Sequence, residues 1–378
     1  MIDLAHLVED RRIIVCCGSG GVGKTTSAAA FALEGARRGR RTCVVTIDPA
    51  RRLADALGLG SLTNSPGRVE GRWPGELWAL MLDTKSTFDA LITRYAAGAD
   101  QAEGILDNRL YRSLSASLSG TQEYMAMEKL HELNEEGGFD LIVVDTPPTR
   151  SALDFLSAPR RLTRLLDNRV FRAVVMPTRT YLRVVSVASQ ALLRPASKIV
   201  GSEMVSDVVA FFQAFAGMEE GVRNRANRVQ ELLSDPLTAF VLVTSPRRDA
   251  VEEALFFADR LAESHIAVQG LVVNRLYPRF DAQATESSSA TALSGLADGA
   301  GMGRNGRALA ALVANRDELR AMAEREETHY AALAARLAPA PAARVPLLPT
   351  DVHDLDGLAV VADHIFRAGE VATEAPAA

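Results

Sequence analysis

Short apolar runs recur along the chain, and most are followed by a turn and a stretch in which apolar residues return every three to four positions. The runs are residues 13–17 (IIVCC), 42–47 (TCVVTI), 76–82 (ELWALML), 139–144 (FDLIVV), 239–244 (AFVLVT), 270–273 (GLVV) and 344–348 (RVPLL). Continuous β-branched runs of this kind are strands buried on both faces, as in a parallel sheet. Helical periodicity is expected over residues 25–38, within 87–136, and over 249–264, 316–337 and 355–367, with a short helix or arm over 1–10. The pattern predicts an α/β chain with a mostly parallel sheet flanked by helices.

Residues 158–218 differ in character. Over residues 158–198, nine basic residues (Arg160, Arg161, Arg164, Arg169, Arg172, Arg179, Arg183, Arg194 and Lys198) stand against one acid, Asp167, and beyond them Val205, Val208, Val209, Phe211, Phe212 and Phe215 follow at helical spacing. A helical subdomain inserted over 158–235 is expected, basic on one side and apolar on the other. Such a pattern ordinarily makes a core with a solvated face; the functional alternative is a surface for a client protein or a membrane. The α/β core would then comprise residues 1–157, 236–280 and 308–369. A flexible insertion rich in Ser, Ala, Gly and Thr is expected over 281–307, and a frayed tail over 370–378.

The first run ends in GSGGVGKTT at residues 18–26. Gly18, four residues, then Gly23, Lys24 and Thr25 is the spacing of a phosphate-binding loop (P-loop), in the strand-then-helix context that it needs. The glycines let backbone N–H groups of Gly20, Gly21, Val22 and Gly23 turn inward around phosphate oxygens, and the helix start at Lys24, Thr25 and Thr26 adds its dipole. Lys24 would reach the β and γ phosphates and the Thr25 hydroxyl would hold Mg²⁺. Asp48, Asp145 and Asn274 each follow a predicted strand, at the carboxyl edge where open parallel sheets bind ligands. Asp145 occupies a Walker B position and would serve Mg²⁺; Asn274 is placed where a base could be read. The fold class is therefore a P-loop NTPase, and the expected cofactors are ATP and Mg²⁺.

The formal charge of −5 over 378 residues does not mark a nucleic-acid binder, and no DNA partner is expected. The three cysteines, Cys16, Cys17 and Cys43, fall on predicted core strands and read as small buried apolar residues, which fits a reducing cytosol. No run approaches the ~20 apolar residues of a membrane span. A soluble, cytoplasmic protein is expected, with at most transient membrane contact.

In this order, the stretches GSGGVGKTT (18–26), TIDPARRLAD (46–55), DTPPTRSALDFL (145–156), FVLVTSP (240–246), VVNRLYP (272–278) and VPLLPTDVHDLDGL (345–358) resemble the ArsA/Get3 family of P-loop ATPases over nearly the whole chain. The finer likeness is to the paired Get3-like ATPases of actinobacteria. The resemblance implies that Asp48 orients the attacking water, that Asp145 serves Mg²⁺ and the second switch loop, and that Asn274 contacts adenine, enclosed by Pro346 and Leu347. It also implies a nucleotide-gated dimer.

Several positions depart from the family. Ser19 stands where a lysine reaches across the dimer, so a trans cation would have to come from another subunit. A heterodimer with a Get3-like paralogue is favoured over a homodimer. Arg150 and Ser151 replace Gly-His in the second switch, Arg247 replaces a nucleotide-contacting glutamate, and no Cys-x-x-Cys pair follows Asn274, so no zinc is expected. The leading reading is an ATPase that gates an apolar client surface. The alternatives are a nucleotide-bound switch with little hydrolysis of its own, an arsenite-pump subunit and a partitioning ATPase.

Overall fold

The structure, a computed structural model, describes residues 4–48, 52–109, 111, 121–148, 218–278 and 303–367. The chain begins with α1 (Ala5–Asp10) and β1 (Ile13–Gly18), then α2 (Lys24–Arg37), β2 (Arg41–Thr46), α3 (Arg52–Ala56), β3 (Gly67–Val69) and β4 (Glu76–Met81). It continues through α4 (Thr84–Tyr95), α5 (Ala99–Leu106), α6 (Thr121–Glu136), β5 (Leu141–Asp145), α7 (Glu219–Ser234), β6 (Thr238–Thr244) and α8 (Arg248–Glu263). It closes with β7 (Val268–Leu276), α9 (Gly303–Leu337), β8 (Ala342–Pro346) and α10 (Leu355–Phe366).

One eight-stranded sheet has the order β3-β4-β2-β5-β1-β6-β7-β8. Every pairing is parallel except β3 with β4. Each strand's alternation divides its side chains between two cores. Ile14 and Cys16 of β1 join Val44, Val143, Val241 and Val272 under α1, α2 and α10. Ile13, Val15 and Cys17 join Val45, Ile142, Phe240 and Val273 under α6, α7, α8 and α9. The α10 face closes on α2 through an edge-to-face pair, Phe31 and Phe366, with ring centroids 5.0 Å apart. All three cysteines are buried, as their place on the strands predicts.

The arginines around the amino ends of the strands are structural. Arg40 donates to the carbonyls of Val8, Arg11 and Asp140. Arg41 binds Glu76 at 3.1 Å and lies over the rings of Trp78 and Phe139. These contacts tie α1, β2, β4 and the start of β5 together at the end of the sheet opposite the glycine-rich loop.

Several predicted boundaries are corrected. Residues 87–136 do not form one helical stretch: Asp83 caps α4 through the Ser86 N–H, and helix resumes as α5 and α6. β5 begins two residues later than expected, so Asp145 is its last residue. β3 escapes the apolar pattern because only Val69 of its three residues is buried. The expected insertion over 281–307 overlaps α9, which starts at Gly303 and runs 35 residues. Alanine-rich sequence carries that helix through Gly306. The start of β8 likewise precedes the predicted residue 344. The basic and apolar stretch over 158–217, with Arg150 and Ser151, lies outside the described residues. Among the described residues, no helix is long and apolar enough to cross a membrane.

Candidate functional site

β1 lies between β5 and β6, where the order of connection reverses, and it delivers its glycine-rich turn to the carboxyl edge of the sheet. Backbone geometry there demands glycine. Gly18 has φ +156°, and a Cβ on it would sit 2.0 Å from the Val243 carbonyl of β6. Gly23 has φ +96°, and a Cβ there would meet the Asn274 amide nitrogen at 2.1 Å. Gly20 and Gly21 face open space instead, with no atom within 4 Å of the place a Cβ would take. The loop is thus pinned at both ends and open between them.

Lys24 begins α2 with 7% of its surface exposed, and its ammonium donates to the Ser19 carbonyl at 2.6 Å. Burial lowers its pKa, while the nearby Asp145 carboxylate opposes that shift. Ser19 is itself buried, at 6% exposure. Beside them the hydroxyls of Thr25 and Thr46 both donate to Oδ2 of Asp145, at 2.8 and 2.9 Å. Asp145 is 1% exposed, and burial pushes its carboxyl up to about 6 although both hydroxyls and Lys24 favour its charge.

Asp48 hangs on the same cluster: its N–H donates to the Thr46 hydroxyl at 3.2 Å, and its carboxylate lies 3.6 Å from Arg52. Thr146 donates its hydroxyl to the Cys16 carbonyl at 2.8 Å, holding the start of the loop after β5 against β1. Asn274 is drawn onto the phosphate-binding loop, where its Nδ2 donates to the Val22 carbonyl at 2.8 Å. Its other polar atom, Oδ1, accepts the Arg275 N–H at 2.9 Å.

These groups border one cavity of about 470 Å³. It brings together Gly20, Gly21, Gly23, Lys24, Thr25, Thr26, Asp48, Asn274, Pro346 and Leu347. Asp145 lies beneath its floor, joined to it through Thr25. Val22 contributes its backbone, and its side chain packs in the core below α2. Three further residues were not anticipated from the sequence: Thr46, Arg52 and Arg275. Thr46 had a signal, since it lies two residues before Asp48 at the end of β2. Arg52 had only its i,i+4 spacing from Asp48, and Arg275 had none.

The residues present fit a magnesium nucleotide. The open cradle at Gly20 and Gly21 has room for phosphate oxygens, and Lys24 places a cation at its foot. Thr25 and Asp145 supply the paired hydroxyl and carboxylate oxygens that suit a hard divalent cation. The cavity also has the size of an ordinary small-ligand site, roughly 300–1,000 Å³. The buried thiols differ: burial pushes both Cys17 and Cys43 up to about 12 and raises Cys16 as well, so all three are protonated near neutrality.

Comparison with known proteins agrees with this reading. The family model described as anion-transporting ATPase matches residues 11–292. An uncharacterized protein of Streptomyces coelicolor is 32% identical over 272 residues, which are 71% of this chain and 63% of that protein. The ATPase GET3A of Arabidopsis thaliana is 26% identical over 271 residues, 71% of this chain and 68% of that protein. A putative arsenical pump-driving ATPase of Chlorobaculum tepidum is 24% identical over 270 residues, 70% of this chain and 61% of that protein. The chain therefore spans less than two thirds of the length of some of these relatives. Pro346 and Leu347 lie beyond the matched segment, yet β8 returns them to the same cavity. With its P-loop, its parallel sheet and a family match over most of its length, the chain belongs to the anion-transporting ATPase family that includes ArsA and Get3.

Proposed function

We propose that the protein binds and hydrolyses ATP with Mg²⁺, works as a dimer, and uses its nucleotide state to gate an apolar client surface in residues 158–235. One observation carries the nucleotide part: the Thr25 hydroxyl, the Asp145 carboxylate and the Lys24 ammonium converge at the foot of a glycine-lined cavity. In this reading the N–H groups of Gly20, Gly21, Val22, Gly23, Lys24, Thr25 and Thr26 cradle the phosphate chain. Thr25 and Asp145 hold the metal, which neutralises charge on the phosphates. Asp48 orients water, and Asn274, Pro346 and Leu347 enclose the base. The relatives named as ATPases support hydrolysis, and the names GET3A and arsenical pump-driving ATPase point to two client chemistries. Buried, protonated thiols weigh against arsenite, which thiolates would have to grip.

Buried Ser19 favours a heterodimer with a Get3-like paralogue, since a hydroxyl supplies no cation to a partner's phosphates. It also supports a second reading, a nucleotide-bound switch with little hydrolysis of its own. A missing cationic finger costs about 10³–10⁵ in rate where it dominates. The test is to purify the protein from its native cell, identify what co-elutes, and measure ATP turnover alone and after mixing. Low turnover that rises strongly with the paralogue is expected; brisk turnover by the pure protein would remove the ground for a heterodimer.

A further inference from the structure

β7 carries two irregularities, one against β6 between Val268 and Gly270 and one against β8 where it meets the site. Asn274 pairs with Val345 and Leu276 with Pro346, so Arg275 is the extra residue of a bulge between β7 and β8. Arg275 also holds φ +62°, a left-handed conformation that is uncommon for any residue other than glycine. In a regular strand, neighbouring side chains leave on opposite faces. Here two consecutive residues serve adjacent carbonyls of one loop: Asn274 binds Val22, and the Arg275 guanidinium donates to the Gly21 carbonyl at 3.0 Å. Bulges beside functional sites commonly re-aim a side chain in this way. A glycine would meet the backbone requirement more easily, so an arginine kept there points to a use for its side chain.

Its electrostatic position is equally specific. Among the described residues, the cations on the cavity wall are Lys24, Arg52 and Arg275. Lys24 is turned onto Ser19, and Arg52 is paired with Asp48. Arg275 is exposed and has no carboxylate partner among the described residues, and its bond to Gly21 uses one of five N–H donors. It borders both the main cavity and a second one, of about 270 Å³, on the Ser19 side of the loop.

We infer that Arg275 is a phosphate-contacting residue, a cation carried by the same chain at the rim of the glycine cradle. The inference rests on the nucleotide reading above. Arg275 engages the Gly21 carbonyl, which leaves the loop N–H groups to the phosphates, and presents its remaining donors to the polyphosphate.

Arg275→Gly tests this without endangering the fold, because glycine accepts the left-handed backbone. Mg-ATP affinity would be measured by calorimetry at low and high salt for the wild type, Arg275→Gly and Arg275→Lys, alongside melting temperature. Arg275→Gly is expected to melt no lower than the wild type and to bind Mg-ATP about tenfold or more weakly at low salt. Lysine should restore part of the loss, since it keeps the charge without the planar fork, and the gap should narrow as salt screens the exposed charge. Wild-type affinity in Arg275→Gly, or a loss unchanged by salt and not relieved by lysine, would overturn the inference. A wild-type protein that binds no nucleotide would instead overturn the reading on which it rests.

Discussion

Asp145 concentrates the chemistry of the site in one buried carboxyl. Its pKa, raised to about 6, means that the folded chain disfavours the charged form. Its contribution to stability is therefore complete below the unfolded value of about 3.9, declines as pH rises through about 6, and is lost above that. Replacing it by asparagine keeps an oxygen for Thr25 and Thr46 but removes the charge. In the absence of nucleotide and metal, Asp145→Asn should melt above the wild type at pH 8, by up to about 3 kcal/mol for a two-unit shift. The gap should narrow as pH falls through about 6 and close below about pH 3.9. A variant less stable than the wild type at pH 8 would show that Lys24 and the two hydroxyls outweigh the burial of the charge. Lys24 and Thr25 were legible in the sequence because a motif fixes their spacing, and Asp145 because it follows a buried apolar run. Arg275 was not, since a one-residue bulge reverses the direction that strand alternation assigns to it.

The elements show the same division. Strands buried on both faces announce themselves as apolar runs, and seven of the eight were anticipated. β3 was not, because an edge strand with one buried residue has no period to read. Helix α9 begins well before the predicted residue 316, and within its predicted part Glu326 accepts the N–H of Tyr277 at 2.7 Å just beyond β7. Helix α2 depends on close approach to the sheet. A Cβ on Gly35 would lie 2.5 Å from the Thr42 hydroxyl and 2.8 Å from a Leu141 methyl, both buried. Alanine in a helix gains about 1 kcal/mol over glycine, whereas overpacking a core costs about 1–3 kcal/mol. Gly35→Ala is therefore expected to lower the melting temperature. Gly104, within α5, has nothing within 4 Å, so Gly104→Ala should raise it. Thermal melts of the two variants check both signs, and equal effects would mean that α2 does not pack as described.

At the scale of the whole molecule, the site exists because distant segments return to one edge of the sheet. Residues 18–26, 48, 145, 274 and 346–347 meet there through parallel crossovers on either side of β1. The strand ends were legible from the apolar pattern, but their meeting follows from strand order, which no local pattern encodes. A buried ion pair extends the same logic away from the site: Arg225 of α7 binds Glu128 of α6 at 2.7 Å, joining the helices on either side of residues 149–217. The central claim is that Lys24 and its loop hold the phosphates of a magnesium nucleotide. Calorimetric titration of ATP into the wild type and Lys24→Ala, with and without Mg²⁺, tests it most directly. Binding by the wild type that Mg²⁺ strengthens, abolished in a folded Lys24→Ala, is the predicted result; no binding by the wild type, or equal binding by both proteins, would contradict it.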